Sequence, residues 1–194
     1  MAKYYNYSVH GVSTDIEYPG RLTDRNGNGP AHPRRAGWGT QIYQKEGFNW
    51  FHFALPTPTR IRSNNKIMIW SAYFDVEIDG AAELSKIDVR EGEGNIIYSR
   101  TTHLKQGKHS ESFSLRSAAN KPIVISVRVD FNSEWSPGVG EVIFRGAGGN
   151  FRRPAPGEPT TLNDPRLIDV NLAIPIAVQS DNDLYQSSRI RVVL

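Results

Sequence analysis

From Met68 to Ile78 every second residue is apolar: Met68, Trp70, Ala72, Phe74, Val76 and Ile78. The alternate positions run from Ile67 and Ile69 through Ser71 and Tyr73 to Asp75, Glu77 and Asp79. A two-residue period of this length places one whole face in a core and turns the other toward water. The segment Lys66 to Asp79 is therefore a long strand, with its first part covered on both sides. On this parity Trp70 belongs to the core. Pro122 to Phe131 repeats the pattern, with Ile123, Ile125, Val127, Val129 and Phe131 inward and Ser126, Arg128 and Asp130 outward. As helices, both segments would scatter charged and β-branched residues round the whole cylinder.

Further strands follow from the same reasoning. Trp38 to Tyr43 and Phe48 to Leu55 flank Gln44-Lys45-Glu46-Gly47, which reads as a hairpin loop. Leu84 to Arg90 and Asn95 to Ser99 flank Glu91-Gly92-Glu93-Gly94, a second hairpin. Tyr4 to His10, Val12 to Glu17, His109 to Leu115, Gly140 to Arg145 and Arg189 to Leu194 complete about ten short strands. With Gly 17 and Pro 12 in 194 residues, turns are plentiful. The expected fold is all-β: an antiparallel β-sandwich, jelly-roll-like, with a closed barrel as the alternative. Residues 1–149 form its core, with the glycines of Gly146 to Asn150 allowing positive φ in a loop. Residues 150–188, interrupted by Pro154, Pro156, Pro159 and Pro165, form an arm or long loop. Residues 189–194 return to a sheet as a terminal strand.

Composition narrows the function classes. The chain has no cysteine, which removes disulfides, thiolate metal sites and cysteine nucleophiles. Its formal charge is +3, and residues 98–194 carry all of it, since residues 1–97 hold 11 basic and 11 acidic side chains. A nucleic-acid partner calls for a denser basic stripe. No apolar run approaches the ~18 residues of a membrane-spanning helix. Met1 to His10 is polar and tyrosine-rich, with no apolar h-region and no small-residue cleavage site, so the expected compartment is the cytoplasm, with export by another route left open.

Certain pieces occur in a fixed order: His10-Gly11, Glu17-Tyr18-Pro19, Gly37-Trp38-Gly39-Thr40, Phe48-Asn49-Trp50-Phe51-His52 and Pro56-Thr57-Pro58. In these pieces, over about residues 8 to 150, the chain resembles a family of small bacterial β-rich proteins with no established activity. The resemblance implies a β-sandwich and brings no catalytic residues with it.

Several constellations point to chemistry. Asp24, Asn26 and Asn28, with Gly29 following, place oxygen side chains at alternate positions, like the first half of a calcium loop. Position 12 of such a loop is Arg35 rather than a bidentate Glu, and Asn-Gly is also simply a turn former. None of the five histidines forms a metal-binding pair in sequence, although strands could bring His10 and His52 together. The plain reading of His52 is a partly buried side chain with a backbone partner. Glu77 and Asp79 share one face and could act as a carboxylate pair, but neighbouring carboxylates are common on solvated faces. No nucleophile elbow or phosphate loop is present. Trp135, Trp38 and Tyr43 are candidates for an aromatic sugar platform, and Trp135 lies in a polar loop.

These features favour a non-enzymatic sandwich acting by self-assembly or protein binding, a homo-oligomer held by the 150–188 arm. The alternative is a carbohydrate-binding module with a glycan partner, with or without calcium as cofactor. A metal-dependent enzyme is the third reading.

Overall fold

The computed structural model describes residues 4–58, 67–92, 94–119, 121–134 and 138–155, and the backbone of 167–170 and 190–193. The strands are β1 (Tyr4–His10), β2 (Asp15–Ile16), β3 (Arg34–Ala36), β4 (Gly39–Gln44), β5 (Gly47–Leu55), β6 (Met68–Asp79) and β7 (Ala82–Glu91). They continue with β8 (Asn95–Leu104), β9 (Gly107–Ala118), β10 (Ile123–Phe131), β11 (Gly140–Arg152), β12 (Leu167–Val170) and β13 (Ile190–Val193). No α-helix occurs among the described residues.

The pairing defines the architecture. β7 pairs with β8, β6 with β9, β5 with β10, and β4 with β11, all antiparallel. Eight strands thus form one long ribbon whose tip is the β7–β8 turn, rolled so that its successive strand pairs fall alternately in two sheets. This is a jelly roll, the expected sandwich. One sheet has the order β3-β4-β11-β6-β9, with β1 also on β11; the other has β2-β5-β10-β7-β8.

The core lies between the sheets. Phe51, Phe53, Phe74, Phe144 and Phe151 are fully buried, with Ile125, Val127 and Val129 beside them. Phe144 of β11 packs on Phe51 and Phe53 of β5, with ring centroids 4.8 and 5.3 Å apart. Where β8 and β9 form the sheet edges, Tyr98 stacks on Phe113 at 4.8 Å, and Arg100 pairs with Glu111.

The rolled ribbon corrects several expectations. Gln44 to Gly47 is not a hairpin loop, because β4 and β5 belong to different sheets. The turn is a corner, held by the Gln44 amide donating to the Glu46 carbonyl at 2.8 Å and by Asn49 Nδ2 donating to Gln44 Oε1 at 3.0 Å. Trp70 is not in the core. The register shifts between Ile69 and Ser71, so Ile69 and Ala72 both point inward and Trp70 is turned out. Its indole lies beside the guanidinium groups of Arg116, 4.3 Å away, and Arg152, 4.1 Å away. Gly146 to Asn150 is not a loop but the middle of β11, which runs on to Arg152 between β1 and β6. Of Val12 to Glu17, only Asp15–Ile16 is strand; Gly11–Ser13 is a 3₁₀ turn.

Two of the sequence motifs meet at this turn. The Gly11 carbonyl accepts from both the Thr14 and Thr40 hydroxyls. A Cβ on Gly11 would lie 1.9 Å from the Phe144 carbonyl oxygen, and one on Gly39 would lie 2.1 Å from it. His10-Gly11 and Gly39-Thr40 therefore let two chain segments close onto the backbone of β11, which is a packing role.

β13 pairs antiparallel with β12 in a two-stranded sheet. Most of the 150–188 arm lies outside the described residues.

Candidate functional site

On β5 the inward Phe51, Phe53 and Leu55 force Phe48, Trp50, His52 and Ala54 to the outer face of the five-stranded sheet. Register then assembles a row across five strands: Asp15, His52, Ser126, Asp88 and Ser99. A second row carries Trp50, Arg128, Lys86 and Thr101.

The segment before β3 completes the site. Asn49 pins it, donating through Nδ2 to the Tyr18 carbonyl and accepting from the Tyr18 N–H, each at 3.0 Å. The Glu17 N–H donates to the Trp50 carbonyl at 3.0 Å. This brings Glu17 Oε2 to 3.2 Å from His52 Nε2, while His52 Nδ1 lies 2.9 Å from Ser126 Oγ. A carboxylate only accepts, so Nε2 carries the proton and Nδ1 accepts from the serine. Hydrogen bonding to Glu17 raises the Tyr18 phenol above its ordinary 10.0. Arg21 covers the Tyr18 ring, 4.0 Å from its centre.

Glu17, Trp50, His52, Arg90, Val124 and Ser126 line an open groove of about 450 Å³. Beside it Asp88 is completely buried. It accepts from Ser99 Oγ at 2.7 Å and pairs with Lys86 and Arg90 at 3.2 and 3.4 Å. The Lys86 ammonium lies 5.8 Å from the centre of the Trp50 ring.

Ser126, His52 and Glu17 are linked like a hydrolytic relay, but the surroundings do not support acyl transfer. Ser126 is only 1% exposed. It sits on a central strand laddered on both sides, so the local backbone amides are not free to form an oxyanion hole. The groove thus sets one large aromatic side chain, Trp50, beside the Glu17 carboxylate and the Arg90 guanidinium.

The residues singled out from sequence lie elsewhere. Tyr43 is half-buried on β4, in the other sheet, and accepts from Gln41 Nε2 at 2.7 Å. Burial, then the nearby Glu141, raises its phenol above the ordinary 10.0. Trp38 is half-buried before β4, with the Arg34 guanidinium 5.6 Å from its ring. Trp135 lies outside the described residues.

Asp24 closes its own turn. Its Oδ1 accepts from the Asn26 and Asn28 N–H groups, both at 2.8 Å, and its Oδ2 from Asn28 Nδ2 at 3.3 Å. The amide groups around it, that of Asn28 first, hold its carboxyl below the ordinary 3.8. Among the described residues no group of three or more His, Asp and Glu side chains could hold a metal ion. His10 and His52 fall in different sheets. His10 Nδ1 accepts from the Val12 N–H at 3.2 Å, which leaves Nε2 to donate to the Gly37 carbonyl at 3.0 Å. His52 has side-chain partners rather than the backbone partner expected. Glu77 pairs with Arg145, while the Asp79 carboxylate accepts from the Gly80 N–H.

The outward set Phe48, Trp50 and His52 is visible in the alternation of Phe-Asn-Trp-Phe-His. Ser126 and Glu17 are not, because only register and the Asn49 clamp bring them to His52.

The fold is a jelly-roll sandwich with an open groove on the outer face of its five-stranded sheet. The chain belongs to a family of unknown function, DUF6623, whose model matches residues 3–151. No curated protein matches it. Similar solved structures include TmCBM61 in complex with β-1,4-galactotriose (10% identity, 77% of this chain and 88% of that one, TM-score 0.41). Others are the xylan-binding module CBM86 from Roseburia intestinalis (12% identity, 75% and 94%, TM-score 0.40) and a family 35 carbohydrate-binding module from Clostridium thermocellum (12% identity, 74% and 97%, TM-score 0.39). What those modules bind is a property of those modules.

Proposed function

We propose that the protein is a non-enzymatic module that binds carbohydrate in the Trp50 groove. The observation that carries this reading is the meeting of the Trp50 indole with the Ser126–His52–Glu17 chain and Arg90 in one open groove. A sugar ring has an apolar C–H face and a rim of hydroxyls that both donate and accept. An aromatic ring provides a flat apolar contact. Glu17 keeps carboxylate lone pairs to accept with and Arg90 keeps N–H groups to donate, which suits that rim, while Ser126 and His52 hold Glu17 in place. Self-assembly through residues 150–188 draws on a segment that is largely outside the described residues, and no feature of the rest favours it.

The test is affinity electrophoresis against soluble xylan, mannan, galactan, mixed-linkage β-glucan and pectin. Trp50→Ala is expected to weaken retardation by about tenfold or more, the loss of one anchoring aromatic. Wild-type retardation by Trp50→Ala, or no retardation of the wild type by any polymer, refutes the reading. Loss on Trp135→Ala, Trp38→Ala or Tyr43→Ala instead would move the site to the residues picked out by sequence.

A further inference from the structure

The outer face of the six-stranded sheet carries a second aromatic surface of different character. Tyr73 of β6 stands opposite Gly148 of β11, and Asn6 of β1 lies one strand further on. The Tyr73 hydroxyl nevertheless reaches Asn6 Oδ1, at 3.3 Å. Neighbouring strands lie about 4.8 Å apart. To touch the second strand over, the phenol must lie down along the sheet across β11 instead of standing up from it. Gly148 makes this possible, since a Cβ there would lie 2.5 Å from both Cζ and Oη of Tyr73.

The groups around the ring form one directed chain. Tyr73 Oη donates to Asn6 Oδ1; Asn6 Nδ2 donates to Asn150 Oδ1 at 2.9 Å; Asn150 Nδ2 donates to Ser71 Oγ at 3.0 Å. Each amide nitrogen has a second hydrogen, Ser71 has its own hydroxyl proton, and Tyr73 Oη has lone pairs, so the chain retains both donors and acceptors. Ser8, beside Gly148, and the exposed Ser112 and Ser114, on the β9 side, extend the polar surround.

These two rows contain no charged side chain. Asp75 on the next row accepts from Ser110, and Glu77 beyond it pairs with Arg145. At the other end the guanidinium groups of Arg116 and Arg152 lie against Trp70.

We infer that this patch is a second glycan-binding face, selective for uncharged saccharide chains. A ring lying flat among neutral hydroxyls and amides complements a sugar that bears no carboxylate or sulfate. A protein partner would need a larger apolar centre than one tyrosine provides. The inference rests on the carbohydrate-binding reading and adds a face on the opposite side of the sandwich.

The test is an amide NMR titration of the full chain with xylohexaose, cellohexaose and mannohexaose in turn, with oligogalacturonate as the charged control. A neutral hexaose should shift amides of β1, β6 and β11 around Tyr73 as a set, and oligogalacturonate should not. Tyr73→Ala should weaken that set by about tenfold or more while leaving shifts around Trp50 within about twofold. Ser112→Lys, at an exposed site on an edge strand, should do the same without touching the ring's packing. Shifts confined to the Trp50 groove and indifferent to both variants would overturn this inference and leave the proposed function standing. Shifts confined to the Tyr73 face would do the reverse. Equal binding of oligogalacturonate at Tyr73 would refute the selectivity, and no shift with any saccharide would refute both readings.

Discussion

Two glycines of one short motif should respond very unequally to the same substitution. In Gly37-Trp38-Gly39-Thr40, a Cβ on Gly37 would meet nothing within 4 Å. A Cβ on Gly39 would lie 2.1 Å from the Phe144 carbonyl oxygen and 3.0 Å from its carbon, and Gly39 has φ +139. The dihedral alone costs an alanine about 1–3 kcal/mol. The overlap is with the backbone of β11, so it is relieved only by moving a strand, at a further ~1–3 kcal/mol. The sum centres near ~4 kcal/mol, a large part of the 5–15 kcal/mol typical of a whole domain. At about 2–4 °C per kcal/mol for a chain of this size, Gly39→Ala should lower Tm by roughly 8–16 °C. Gly37→Ala should stay within about 0.5 kcal/mol of wild type. Thermal and urea unfolding followed by circular dichroism measure both, and an unchanged urea slope would show that the fold itself is retained. Equal effects at the two positions would refute the close approach of Gly39 to β11 and the packing role assigned to the motif.

Two further outcomes are expected. Asp24→Ala should lower Tm equally with and without millimolar calcium, because the carboxylate closes its own turn; a calcium-dependent rise in the wild type that the variant loses would establish a cation there. Since folding lowers the Asp24 pKa below 3.8, its contribution is fully present above that value and fades as pH falls through the lower folded one. An Asp24 carboxyl that titrates at or above 3.8 by NMR would contradict the turn. Asp88→Asn keeps the shape of a completely buried side chain but removes the counter-charge of Lys86 and Arg90. It should cost about 2 kcal/mol in urea unfolding, and a neutral result would mean the two cations do not depend on it.

Much of the fold was legible because a strand writes its own alternation. Tyr4–His10 and the inward sets of β6 and β10 follow from residue type along the chain, as does the β7–β8 hairpin, whose two strands are adjacent in sequence and pair with each other. Trp70 was misplaced for a local reason with a distant cause: the bulge that turns it outward is defined only against the partner strands, and alternation alone cannot reveal a slipped register. The glycines of β11 looked like loop residues because glycine serves positive φ and close approach equally well, and the neighbour that needs the space, Tyr73, is more than seventy residues away in the chain.

The candidate site divides along the same line. Alternation in Phe-Asn-Trp-Phe-His is enough to put Trp50 and His52 on one face and Phe51 and Phe53 on the other, since side chains on a strand point by turns to opposite sides. Which residues join them depends on strand partners. β5 pairs with β10, some seventy residues on, and that register sets Ser126 against His52, while the Asn49 clamp delivers Glu17. The pattern of residue types along the chain is enough for a β-rich sandwich and for the facing of its strands, because a side chain's preference for burial is local to each residue. Tertiary structure alone decided the rolling of the ribbon and the corner at Gln44. It also brought Glu17, His52 and Ser126 together, because pairing between distant strands is a choice among many partners of similar apolar pattern, resolved only when the whole core packs at once.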